Sequence, residues 1–65
     1  MPLKLFITQC SDSMRWYSDF IGEYVTYEPH ADSSVEYGSR EPAGYLNFVL
    51  KTDAIVKEVD DDATL

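Results

Sequence analysis

Apolar and polar positions alternate with a period of two at the start of the chain, where Leu3, Leu5 and Ile7 interleave with Lys4, Phe6 and Thr8. That period puts successive side chains on opposite faces of an extended backbone and predicts a strand over residues 3–9. The polar run Gln9-Cys10-Ser11-Asp12-Ser13 ends it. Trp16, Phe20 and Ile21 follow at i, i+4 and i+5, the spacing of one helical turn, and Gly22 is placed to terminate that turn in the left-handed conformation. Residues 14–22 therefore read as a loop with a single turn. Glu23–Glu28 is rich in β-formers and reads as a second strand, with Val25 and Tyr27 on one face and Tyr24 and Thr26 on the other. After a loop over 29–33, Ser34–Ser39 reads as a third strand with Val35 and Tyr37 on a shared face. Pro42 and Gly44 are spaced for a chain reversal over 40–44. Tyr45–Leu50 and Ile55–Val59 make the last two strands, separated by a short break. Val25, Tyr27, Val35, Tyr37, Leu46 and Phe48 are the expected core positions. Five short strands at regular spacing predict an all-β domain, a small barrel over residues 1–59, with an acidic flexible tail over 60–65.

Composition narrows this picture. A chain of 65 residues makes one domain and buries only about 60% of the surface its unfolded form exposes, so it needs a dense core or a staple. Cys10 is the only cysteine, which rules out an internal disulfide and suits a reducing cytoplasm. His30 is the only histidine and has no Cys or His partner nearby in sequence, so no metal staple and no cofactor are expected. Aromatic residues, 14% of the chain, supply the core instead. No apolar run approaches the ~20 residues of a membrane-spanning helix. Met1–Ile7 is too short for a signal-peptide core and no small-residue cleavage site follows, so the chain is expected to stay where it is made. Twelve acidic against five basic residues give a net charge of −7. That balance disfavours nucleic acid and anionic membranes, and favours docking onto a basic protein surface.

The run Gly44-Tyr45-Leu46-Asn47-Phe48-Val49-Leu50-Lys51-Thr52-Asp53-Ala54-Ile55-Val56 resembles the end of an SH3-like barrel, where a Gly-Tyr-aliphatic strand leads through one tight turn into a short closing strand. Together with Trp16-Tyr17, Ile21-Gly22, Val25, Tyr27 and Tyr37, it is similar to small uncharacterised bacteriophage proteins. The resemblance covers residues 14–56 and implies a fold and a viral origin, not an activity. The early Ala-Leu-Tyr-Asp-Tyr segment and the tandem tryptophans of signalling SH3 domains are missing, which argues against their mode of proline-rich peptide recognition.

No catalytic arrangement stands out. Cys10 with His30 is a weak nucleophile–base pair, and Asp12, Asp19, Asp32 and Asp53 all fall in turns, where Asp bonds the local backbone. The three glycines form no phosphate-binding loop, and the acidic tail lacks the pattern of a calcium loop. A non-enzymatic binding role is expected. Its candidate surface comprises Trp16, Tyr17, Tyr24 and Tyr45 as aromatic anchors, with Glu23, Glu28, Glu36, Glu41, Asp60, Asp61 and Asp62 as the acidic rim. The expected role is a phage-encoded modulator or inhibitor of a basic host protein, a DNA-handling one included. A homo-oligomeric or virion-associated structural protein and a small-ligand sequestering protein are the alternatives.

Overall fold

A computed structural model describes residues 3–59. The alternating start of the chain forms β1 (Leu3–Ile7), in which Leu5 and Ile7 are fully buried. β1 is the centre of a three-stranded antiparallel sheet, between β2 (Tyr24–Thr26) and β5 (Ala54–Glu58). Its register sets Leu5 opposite both Val25 and Val56, and Ile7 opposite Ala54, so these side chains share the inner face. β3 (Glu36–Arg40) and β4 (Leu46–Leu50) form a separate antiparallel hairpin. The fold is thus all-β, as expected, but among the described residues its five strands form two sheets and no closed barrel. The expected tail, including Asp60, Asp61 and Asp62, lies outside the described residues.

The hairpin loop explains one departure from the expected core. Glu41 N–H donates to Tyr45 O (2.9 Å) and Gly44 N–H donates to Glu41 O (2.8 Å), which closes the loop Pro42-Ala43-Gly44. Pro42 supplies the fixed φ of the turn, and Gly44, at φ +98°, supplies the left-handed residue after it. This loop sets Tyr37 opposite Val49 and Arg40 opposite Leu46. A strand's faces alternate, so the register turns Val49 inward, fully buried, and leaves Leu46 exposed and Phe48 half-buried. The expected core places for Leu46 and Phe48 are corrected accordingly. Val35 is corrected too. It precedes β3 and is 62% exposed, because Ser33 pairs with Glu36 through Ser33 N–H to Glu36 O (2.9 Å) and Glu36 N–H to Ser33 Oγ (3.1 Å).

The segment between β1 and β2 covers the core. Asp12 Oδ1 accepts from Met14 N–H (2.9 Å), successive tight turns follow, and a 3₁₀ turn over Ser18–Phe20 leads through Ile21 to Gly22, φ +84°. Gly22 has the expected left-handed backbone, but as the third residue of a separate turn closed by Glu23 N–H to Phe20 O (2.9 Å), and in place of the expected single helical turn there are several tight turns and one 3₁₀ turn. This path drives Tyr17 into the centre, where it joins Leu5, Ile7, Val49 and Ala54 with no exposed surface. A tyrosine can sit there only if its hydroxyl finds a partner. Tyr17 Oη donates to Asp53 Oδ2 (2.6 Å) and accepts from Leu50 N–H (3.3 Å). The expectation that Tyr17 faces a partner is therefore corrected: it is core.

Asp53 closes the tight turn Leu50–Asp53, its N–H donating to Leu50 O (2.9 Å), and its own carbonyl accepts from Thr8 N–H (2.8 Å). A second such pair joins Tyr27 Oη to Asp32 Oδ2 (2.6 Å), while Asp32 Oδ1 accepts from Gly38 N–H (2.8 Å). Burial, then the bond to Asp53, pushes the Tyr17 phenol up to about 12 from 10.0. The bond to Asp32, then burial, does the same for Tyr27. A phenol whose pKa is raised by folding adds stability that is complete below its unfolded value and is lost as pH climbs through the folded one. Stability is therefore expected to fall between about pH 10 and 12. Urea unfolding midpoints across that interval test this. A midpoint for Tyr27→Phe that drops as steeply as the parent's would remove Tyr27 from the account.

Candidate functional site

Besides their shared core, the two sheets are joined by hydrogen bonds along a seam. Glu28 N–H donates to Gly38 O (2.9 Å), and Ser39 Oγ donates to Thr26 O (2.6 Å). Beyond Thr26, β2 and the β3–β4 hairpin diverge and leave a groove of about 280 Å³. All three residues of β2 line it, with Trp16 and Phe20 at one side and Arg40, Glu41 and Pro42 of the hairpin opposite; Lys4 of β1 completes it.

Local structure fixes each aromatic wall. The 3₁₀ turn brings Trp16 and Phe20 together, ring centroids 6.0 Å apart, and Trp16 Nε1–H donates to Phe48 O (2.9 Å), anchoring the indole to β4. Tyr24 is 46% exposed and packs on Phe6 across the sheet, centroids 5.1 Å apart. Little conformational freedom remains to be lost when these rings receive a ligand.

The electrostatics are local. Arg40 Nε lies 3.1 Å from Glu28 Oε2, and Arg40 also donates to Gly44 O, so its charge is largely matched. Glu41 accepts from Asn47 Nδ2 (2.7 Å). Lys4 and Glu41 add one charge of each sign to the lining. Asp19 and Glu23, adjacent in sequence to Phe20 and Tyr24, are exposed. The groove is thus an aromatic floor with a balanced interior and acidic neighbours, on a chain of net charge −7.

The structure gathers some of the expected residues and separates others. Trp16, Tyr24 and Glu41 line the groove, and Glu23 lies beside it in sequence. Tyr45 is 71% exposed just past the hairpin loop, outside the lining. Glu28 and Glu36 are not free carboxylates: Glu28 holds Arg40 and faces His30 Nδ1 at 3.7 Å, and Glu36 lies 3.9 Å from Arg15. Phe20, Lys4, Arg40 and Pro42 are lining residues that the sequence reading did not select. The i, i+4 spacing of Trp16 and Phe20 was the available signal for Phe20; the others are joined only by long-range folding.

Cys10 and His30 each have another neighbour among the described residues. Cys10 Sγ donates to Asp12 O (3.0 Å), and the neighbour of His30 is Glu28. Among the described residues no cluster of three or more His, Cys, Asp or Glu side chains is placed to hold a metal ion. Among them, too, no helix is long and apolar enough to cross a membrane. Comparison with protein-family models, curated proteins and solved structures finds no match for this chain.

Proposed function

We propose that this chain is a small protein-binding domain that captures an apolar segment of a basic partner in the groove between β2 and the β3–β4 hairpin. The observation that carries this is the juxtaposition of Trp16, Phe20 and Tyr24 around one depression on a strongly acidic chain. Aromatic anchors in a pocket, surrounded by polar residues, are the usual composition of an interaction hot spot. The net negative charge would draw a basic partner and speed association at low salt. The aromatic anchors take precedence over a purely carboxylate face, because Glu28 and Glu36 are occupied by arginines of the same chain. An SH3-like fold belongs to the same proposal. The β2-β1-β5 sheet, the β3–β4 hairpin and the single tight turn before β5 support it. So does the proposed role as a phage-encoded modulator of a basic host protein, for which a small acidic binder is chemically apt.

Panning a random peptide library on the protein tests the proposal. Peptides with an apolar centre and Lys or Arg flanks are expected. Phe20→Ala should weaken the selected peptides by about tenfold or more, as expected of a hot-spot residue. Tyr24→Ser, at a more exposed position, serves as a second variant with less risk to the fold. Failure to select peptides, or selected peptides that bind Phe20→Ala and Tyr24→Ser as well as the parent, would defeat it.

A further inference from the structure

Resting on that reading, we infer that the groove's occupant is an extended segment, which adds to the open edge of β2 by exchanging main-chain hydrogen bonds with Tyr24. The hydrogen-bond pattern leads there. Ile7 N–H donates to Glu23 O (3.0 Å). Hydrogen-bonded pairs alternate along an antiparallel ladder, so Leu5 and Val25 form the next such pair, and the amides of Tyr24 and Thr26 point away from β1. Thr26 O is satisfied by Ser39 Oγ. The Tyr24 N–H and C=O and the Thr26 N–H therefore lie outside the ladder with β1, on an edge that no strand pairs with among the described residues.

The opposite wall is in the same condition. Glu41 N–H bonds Tyr45 O and Lys51 N–H bonds Val35 O, which assigns the odd-numbered residues of β3 to the ladder with β4. The even-numbered ones point outward: Gly38 uses its two groups on Glu28 and Asp32. Arg40 is the next of these, so its main-chain N–H and C=O lie outside the ladder with β4. Tyr24, Thr26 and Arg40 all line the groove. A cleft with aromatic side chains and outward-facing main-chain donors and acceptors on its walls is what an added strand needs: the backbone supplies affinity, and alternate side chains enter pockets for specificity. The edge of β4 is covered by Trp16 and Tyr17, which bond Phe48 O and Leu50 N–H, and the edge of β5 lies away from the aromatic pocket. Charge sets the rest of the occupant's chemistry. With Arg40 matched by Glu28, and Asp19 and Glu23 exposed beside the aromatic wall, basic residues should flank the apolar anchor.

The test uses a peptide selected on the protein, resynthesised with a single N-methyl group at each position in turn. Strand addition predicts that methylation at one position, or at two positions two residues apart, weakens binding about tenfold, while methylation of the residue between them leaves it unchanged. The amide resonances of Tyr24 and Thr26 should shift and gain exchange protection on binding. Loss of binding in Phe20→Ala together with indifference to every N-methyl group would overturn strand addition and leave the aromatic groove standing. Indifference to Phe20→Ala and Tyr24→Ser would overturn both. Selection of acidic peptides would overturn the assigned charge of the occupant.

Discussion

Asp53→Ala is expected to remove a third or more of the protein's stability. The carboxylate is completely buried and accepts from Tyr17 Oη (2.6 Å), Ser11 Oγ (3.3 Å) and Ser11 N–H (3.4 Å). Truncation leaves the Tyr17 hydroxyl, at the centre of the core, with no acceptor for its proton, and it strips Ser11 of its anchor. Removing one partner of a buried charged hydrogen-bond group costs about 3–5 kcal/mol. A domain of this length has roughly 3–10 kcal/mol in all. Tyr17→Phe should cost less, about 1–3 kcal/mol, because Asp53 keeps Ser11 and the phenyl ring keeps its packing. Asp53→Asn retains an acceptor for Tyr17 and should fall between the two.

pH separates the charge from the hydrogen bonds. Burial acts to raise the Asp53 pKa, but the bonds from Tyr17, Ser11 and Thr52 outweigh it, and the carboxyl ends below its usual value of 3.8. A depressed pKa means that the ionised group adds stability above its unfolded value, and that this is lost as pH falls through the folded one. The parent should therefore lose stability below about pH 4, and Asp53→Asn should lack that component. Thermal melts by circular dichroism would show both effects. A melting temperature for Asp53→Ala within a few degrees of the parent's would contradict the role given to the pair.

The Tyr17–Asp53 pair marks where the sequence stopped being informative. The turn at Asp53 was legible from residue type, but its side chain bonds Tyr17 and Ser11 and not the local backbone. That the same side chain reaches a tyrosine 36 positions away was not legible, since nothing local distinguishes a core tyrosine from a surface one. β1 was legible because its neighbouring residues assign Leu5 and Ile7 to one face. β4 was legible as a strand but its facing was not, because Leu46 and Phe48 compete with Val49 for the core, and a loop outside the strand decides between them. The acidic surface was misread for a similar reason. Glu28 and Arg40 are 12 positions apart, and Glu36 and Arg15 are 21 apart, so their pairing depends on the fold. An aromatic groove was not expected without the motifs of signalling SH3 domains. It is built instead from Trp16, Phe20 and Tyr24, on a turn and a strand whose existence was legible but whose approach to Arg40 and Pro42 was not.

Gly38→Ala should be nearly as damaging, for a steric reason. Gly38 sits where β3 crosses the end of β2. A Cβ there would overlap Glu28 O and lie 2.6 Å from Ala31 Cβ. Neither neighbour can yield cheaply. Glu28 O accepts from Ala31 N–H (3.0 Å) at the 3₁₀ turn Pro29–Ala31, and Glu28 N–H donates to Gly38 O, so moving Glu28 breaks the seam that joins the two sheets. Overpacking of this kind costs about 1–3 kcal/mol, and more where the obstacle is backbone. The other two glycines provide the control. Gly22 and Gly44 have open space around them but positive φ, so alanine there meets only local backbone strain, about 1 kcal/mol. Chemical unfolding of the three variants should rank Gly38→Ala as clearly the least stable. Adding Ala31→Gly to it removes one of the two overlaps and should restore part of the loss. The overlap with the Glu28 carbonyl persists, so full rescue would mean that Ala31, and not the main-chain seam, sets the limit on how closely the two sheets approach.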